Sequence, residues 1–283
     1  MIKNKKDLFT DFFDSYSKNV DSADSCFFWR LSDHIILEII NKYINIKFSR
    51  DLIILDAGGG TGRWIQVLSK IYNSKFILYD KYPKMLDVAR SKKALNKIGN
   101  RLQIIKGDIQ KMKQVKSNSI DYLISIYSPI SFVEKPYLFF KEIYRTLKPN
   151  GIGLIMGQSY YNAIASKINN YNDEALNLNK LEKEAKVKWS DSLAPLHVFS
   201  KESLEKLAID SNLTVLKTYG IPVFIQPGPE DFDSKNKQRS KVSSRLESDL
   251  KFYKSVLQLE MKYNSQDTIV NRGMNLFIVV KKL

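Results

Sequence analysis

Between residues 51 and 157 short apolar runs alternate with stretches whose apolar positions recur at helical spacing. The run 52–55 is apolar throughout and ends at Asp56 and a glycine cluster, as a buried strand does. Trp64, Val67, Leu68 and Ile71 then predict a helix over 63–72. A second strand at 75–79 closes on Asp80, and Pro83, suited to a first helical turn, opens a helix carrying Met85, Leu86, Val88 and Ala89. Residues 102–105, 120–126 and 152–156 predict three more strands, with a helix over 136–147 before the last. Strands with no polar alternation, separated by helices, predict an α/β fold with a parallel sheet covered on both faces.

The flanks are less regular. Residues 8–16 and 27–43 are aromatic-rich and helical in spacing, whereas 158–195 are polar and interrupt the alternation. A helix at 201–211, a strand at 213–218, an amphipathic helix at 246–259 and an apolar strand at 274–280 complete the pattern. There are no repeats. The expectation is one domain over 1–283: an N-terminal helical cap (1–50), a core (51–157), cap insertions (158–195 and 226–268), and closing helix and strands (196–225 and 269–283).

Composition narrows the chemistry. One cysteine, Cys26, excludes an internal disulfide framework and a cysteine-built zinc site, and two histidines argue against a multi-histidine metal centre. No metal is expected. The start shows no apolar signal-peptide region, and no apolar run approaches the roughly 20 residues of a membrane span. A cytoplasmic protein without a membrane partner is therefore expected. The net charge of +15 invites a nucleic-acid reading, since basic surfaces attract phosphates. Yet 36 of the 45 basic residues are lysine and only 9 are arginine, the better fork for phosphates and bases. Charge alone does not decide.

The stretch Asp56-Ala57-Gly58-Gly59-Gly60-Thr61-Gly62 lies between a strand and a helix. Glycine there permits a tight turn and lets a ligand approach the backbone beside the free N–H groups of a helix start. A dinucleotide fingerprint would want glycine where Arg63 stands, and a phosphate loop would want lysine and Ser/Thr near Arg63-Trp64. G-x-G-x-G is satisfied by Gly58, Gly60 and Gly62, with an acid two residues before. Asp80 ends the next strand and can accept two ribose hydroxyls, and Asp108 follows the third. Three acid-bearing strand ends on one edge of a parallel sheet mark its ligand-binding edge.

In these motifs, LDAGGGTG, ILYDKYPKML, IIKGDIQKM, SIDYLISIYSPISFV and IYRTLKPNGIGLI, the chain resembles class I, Rossmann-like S-adenosylmethionine-dependent methyltransferases of small-molecule type. The resemblance continues more weakly to the last strand. It implies seven strands in the order 3-2-1-4-5-7-6, the last antiparallel, and S-adenosylmethionine as cofactor, leaving S-adenosylhomocysteine. It implies that Asp56, Gly58 and Gly60 hold the methionine portion, Asp80 with Lys81 the ribose, and Met85, Asp108 and Ile109 the adenine. Ser125 to Tyr127 would pass under the sulfonium, and Phe13-Asp14-Ser15-Tyr16-Ser17 looks like the family's FxxYA segment, making Tyr16 a further contact. The Asn-Pro-Pro-Tyr motif of amino-methylating DNA enzymes is missing; the loop reads Ile126-Tyr127-Ser128-Pro129.

Methyl transfer from a sulfonium needs mainly alignment, which contributes about 7–11 kcal/mol in favourable cases. An alcohol acceptor would also want a base, and His197 and Tyr127 are the candidates. Ser131, Phe132, Tyr160, Tyr161 and His197 are expected around the acceptor. With no evident base, a carboxylate or amine of a small molecule or peptide, acidic if the basic run Lys235, Lys237, Arg239, Lys241 and Arg245 receives it, is favoured. Two other classes fit the chain: an RNA (tRNA or rRNA) methyltransferase using the basic cap, and a cofactor-binding regulatory module without turnover.

Overall fold

Alternate residues of the core strands face opposite sides of the sheet, and each side buries its own cluster. Ile54, Leu78, Ile124, Leu154 and Phe277 point to one face, and their neighbours Leu55, Tyr79, Leu123, Ile155 and Ile278 to the other. The computed structural model describes residues 8–44, 51–170, 172–191, 193–232 and 238–283. Its main sheet holds β1 (Ile53–Ala57), β2 (Lys75–Asp80), β3 (Leu102–Lys106), β4 (Ile120–Ser125), β5 (Leu147–Gln158), β8 (Thr214–Ile221) and β9 (Asn275–Lys281). The order is β3-β2-β1-β4-β5-β9-β8, with β1–β5 parallel and β9 antiparallel to both neighbours. A two-stranded ladder, β6 (Lys186–Val187) and β7 (Leu196–His197), intervenes in the chain between β5 and β8 and stands outside the sheet.

Helices cover both faces. On one lies α2 (Phe27–Tyr43), whose buried Phe28, Leu31, Ile35, Ile36, Ile39 and Ile40 recur every three or four residues. It shares that cluster with α3 (Arg63–Leu68), α4 (Pro83–Ser91) and α5 (Lys93–Asn96). On the other, α6 (Pro136–Thr146) contributes Phe139, Phe140 and Ile143, and α9 (Lys201–Ile209) contributes Leu204 and Ala208. The helix expected at 246–259 is two helices, α10 (Lys241–Ser248) and α11 (Leu250–Tyr263). Asp249 leaves helical geometry between them, and its carboxylate caps Phe252 N–H at 2.9 Å. Helix α3 also stops at Leu68, short of the expected residue 72.

A third cluster sits above the carboxyl ends of β1–β5. Helix α1 (Thr10–Tyr16), with Phe9 just before it, packs there against α7 (Tyr160–Asn170), α8 (Ala175–Glu184) and the β6–β7 ladder through Phe9, Phe12, Phe13, Ala163, Leu181, Val187 and Leu196. Backbone bonds Phe199 N–H to Gln158 O (2.8 Å) and Tyr160 N–H to Phe199 O (2.8 Å) fasten the ladder's exit to the end of β5. Lys84 holds Asp14 at 3.1 Å and ties α1 to α4. The cap is therefore seated on the sheet edge where the three acids lie. Among the described residues no helix is long and apolar enough to cross a membrane.

Candidate active site

Parallel register puts Ala57 beside Tyr79 and Asp80 beside Lys106, so Asp56, Asp80 and Asp108 follow one another along the sheet edge. The turn after β1 bends back because Gly58 N–H donates to Tyr79 O at 2.7 Å, with φ +77° at Gly58. A Cβ on Gly58 would stand 2.5 Å from Pro129 Cβ, and one on Gly59 2.5 Å from Asp56 Oδ2. Gly60 differs: with φ +54° it has only Met85 Sδ, at 3.7 Å, near the place a Cβ would take. The loop is packed beneath and open above, the shape that lets a ligand meet backbone.

Asp80 organises the open side. One carboxylate oxygen accepts Gly60 N–H at 2.9 Å and the other Tyr82 N–H at 2.8 Å, so one side chain joins the glycine loop to the start of α4. Burial pushes its carboxyl up to about 6, against the lowering effect of the Tyr82, Gly60 and Lys81 N–H groups. Lys81 pairs with Asp108 at 3.2 Å, and Asp108 also accepts Gln110 N–H at 2.9 Å. Met85 and Ile109, both buried, line the same cavity.

Below the loop Asp56 is 1 % exposed, and its Oδ2 has no hydrogen-bond partner. Burial, then the charge of Asp80, pushes its carboxyl up to about 8. The unfolded chain releases that proton near pH 4, the folded protein only near pH 8. Between those values the folded state binds the extra proton, so the stability it contributes falls as pH rises and is lost above about pH 8. Thermal unfolding of the ligand-free protein should show a Tm falling from pH 5 to 8, and the Asp56→Asn variant should flatten the fall by roughly 10 °C, given about 1.4 kcal/mol per pH unit and about 2–4 °C per kcal/mol. Parallel profiles for variant and wild type would contradict this account.

Beyond β4 the chain takes two successive left-handed conformations, Tyr127 at φ +62° and Ser128 at φ +66°. Such backbone persists when its surroundings over-determine it. The Tyr127 phenol donates to Asp33 of α2, whose carboxylate also binds both terminal nitrogens of Arg63. Ser128 Oγ donates to Asn275 Oδ1 at 3.0 Å. Burial, then the Asp33 charge, raises the Tyr127 phenol well above its ordinary range. A phenol so held is no general base, although its ring lines the cavity. Ser125 donates to Ala57 O at 2.8 Å and is wholly buried; it braces β4 against β1 and does not line the cavity.

The cavity measures about 1590 Å3 and runs from Asp108 past the glycine loop to the cap. That exceeds the roughly 300–1,000 Å3 of a single small-molecule site, leaving room for a cofactor and an acceptor. Tyr16, Asp56, Gly58, Gly60, Asp80, Lys81, Met85, Asp108, Ile109, Tyr127, Phe132 and His197 all line it. Three expected acceptor residues do not. Ser131 Oγ accepts Gln158 N–H at 3.0 Å, Tyr160 packs into the cap cluster, and Tyr161 is exposed on α7. Phe132 is ringed by Phe9 (5.3 Å between centroids) and Phe13 (5.0 Å), and Phe13 stacks on Tyr82 at 4.3 Å. His197 Nε2 lies 3.3 Å from Glu134 O, and burial, then Lys186, lowers its pKa, keeping the imidazole neutral. Lys235 and Lys237 lie outside the described residues, Arg239 lines the cavity, and Arg245 pairs with Asp249 at 2.8 Å.

The lining also includes Trp29, Arg63, Lys186 and Trp189, none of which the sequence reading singled out. Arg63 carried a signal, its place directly after the glycine loop. The others come from segments whose approach to the sheet edge no local pattern shows.

Residues 54–151 match the methyltransferase domain family. With the strand order β3-β2-β1-β4-β5-β9-β8 and the glycine-and-acid edge, the chain has the fold of class I methyltransferases. The chain is 31% identical over 111 residues to the rice (Oryza sativa subsp. japonica) chloroplastic 2-methyl-6-phytyl-1,4-hydroquinone methyltransferase 1, covering 39% of this chain and 32% of that one. It thus spans about a third of the length of that relative. Over 274 residues it is 20% identical to the tRNA 5-carboxymethoxyuridine methyltransferase of Escherichia coli (strain K12), covering 97% and 95% of the two chains. It shares its fold with the methyltransferase partner of the Haloferax volcanii Trm112 methyltransferase activator complex (TM-score 0.58, 15% identity, 95% and 96% covered).

Proposed function

We propose that the protein is an S-adenosylmethionine-dependent methyltransferase acting on an oxygen or nitrogen of a small molecule or peptide. The observation that carries this reading is Asp80, whose carboxylate joins Gly60 and Tyr82 between the other two edge acids, Asp56 and Asp108, on the cavity wall. The residues fit the cofactor. Gly60 leaves backbone open to a ligand, Asp80 keeps lone pairs for ribose hydroxyls, and the Asp56 carboxyl, protonated in the ligand-free protein, would ionise beside a cationic methionine end. When bound, S-adenosylmethionine supplies an activated methyl group. The protein's residues hold and orient the two reactants, and the aromatic cap of Phe9, Phe12, Phe13 and Phe132 keeps water from them. With the Tyr127 phenol committed to Asp33, the acceptor that needs least help is a carboxylate, which reacts without losing a proton.

Calorimetry with S-adenosylmethionine and S-adenosylhomocysteine should show one site of micromolar affinity; no binding by the wild-type protein would refute the reading. A second reading, an acceptor carried on tRNA, is favoured by the match over nearly the whole chain to the tRNA methyltransferase and by the charge of +15. It requires labelled methyl in bulk tRNA and binding that weakens steeply with salt.

A further inference from the structure

Resting on that reading, we propose that Lys186 on the β6–β7 ladder is the anion-binding group of the acceptor subsite, so that the substrate is a small organic carboxylic acid. Lys186 and His197 are direct partners in the antiparallel register, so both side chains leave the same face of the ladder, and both line the cavity. The ladder is fixed relative to the reacting end. His197 contacts Glu134 O, and Glu134 follows the Pro129–Phe132 turn, whose proline lies against Gly58. Lys186 thus lines the same cavity as the glycine loop, Phe132 and Trp189.

The other cations on the lining have partners. Lys81 is paired with Asp108 and Arg63 with Asp33, while Asp231 accepts Gly228 N–H and the Ser240 hydroxyl. Arg239 binds Ser25 Oγ at 3.2 Å, and Glu134 is exposed at the rim. Lys186 is partly buried and has no ion pair among the described residues. An ammonium held in a lined cavity without a carboxylate partner favours an anion and opposes an ammonium-bearing acceptor.

The step then balances without a base. A carboxylate lone pair forms the O–CH3 bond, the C–S bond breaks with its electrons passing to sulfur, and the products are a methyl ester and a neutral thioether. No proton moves. Neutral His197 contributes shape, and its nearness to Lys186 makes it a reporter of what occupies the subsite.

The test uses the protein saturated with S-adenosylhomocysteine, with that binding measured first; its absence would fail the methyltransferase reading and not this one. Benzoate, benzamide and benzylamine are then titrated by calorimetry while the ring protons of His197, one of two histidines, are followed by NMR. Benzoate should bind at least tenfold tighter than benzamide or benzylamine and raise the His197 pKa. Lys186→Met should lose that preference and the histidine response, with S-adenosylhomocysteine affinity within twofold of wild type. Equal binding of benzylamine, or an unchanged preference in Lys186→Met, overturns the assignment. So does alkali-labile methyl label in bulk tRNA with no benzoate binding, which moves the carboxylate onto RNA.

Discussion

Replacing Asp80 by alanine is expected to weaken S-adenosylmethionine binding more than about 100-fold, some 3 kcal/mol. Three losses act together. The ribose hydroxyls lose their acceptor, and the N–H groups of Gly60 and Tyr82 lose theirs. An unsatisfied buried donor costs about 1–3 kcal/mol, and both of these hold the loop in its ligand-accepting form. Asp80→Asn should fall between the two, because an amide offers one accepting oxygen where the carboxylate uses two. Its NH2 must face either Gly60 or Tyr82 N–H. Calorimetry on both variants, with circular dichroism to show that each is folded, tests the prediction. A fivefold loss or less in the alanine variant would separate Asp80 from the ribose.

This prediction depends on residues that were legible in the sequence. Buried parallel strands are apolar on both faces, so β1 to β4 stand out as runs, and a strand that ends in an acid before a turn advertises its carboxyl end. Asp56, Asp80 and Asp108 are short-range features of that kind. The acceptor side is different. Lys186 and His197 become neighbours through a ladder two residues long on each side, too short for any periodic pattern. Tyr127 reads as a candidate base until Asp33, 94 residues earlier, accepts its hydrogen bond. The break between α10 and α11 depends on one aspartate choosing to cap instead of continuing a helix. Serines 125 and 131 sit at plausible positions for ligand contact, yet their hydroxyls are taken by Ala57 O and Gln158 N–H. Short polar side chains near strand ends serve backbone as readily as ligands, and sequence does not separate the two.

The charge of +15 does not concentrate in the cavity either. Lysines 188 and 206 pair with nearby aspartates on the surface, and Lys282 is buried against the carbonyls of Tyr144 and Leu147. What the cavity retains is a small number of placed cations. Two of them, Arg63 and Lys81, are already held by carboxylates. A position-specific charge, and not the total, is what can select an acceptor.

Asp33→Ala should destabilise the protein by about 2–3 kcal/mol, somewhat under the 3–5 kcal/mol typical of breaking a fully buried pair, because both side chains keep a little solvent contact. The substitution removes the carboxylate shared by Arg63, at the start of α3, and Tyr127, in its left-handed turn, the two points where the wall beneath the glycine loop is fixed. Cofactor affinity should drop roughly tenfold as that wall loosens, since a 1.4 kcal/mol loss of preorganisation is a factor of ten. The double variant Asp33→Ala/Arg63→Met separates the causes. If the cost comes from the lost Asp33–Arg63 pair, removing the guanidinium as well should recover at least half of the lost stability. The affinity loss should persist, because Tyr127 is still unheld. Denaturant unfolding and calorimetry on the three proteins measure the two effects separately. Full recovery of both in the double variant would show that Asp33 serves only to neutralise Arg63, and that the Tyr127 turn holds itself.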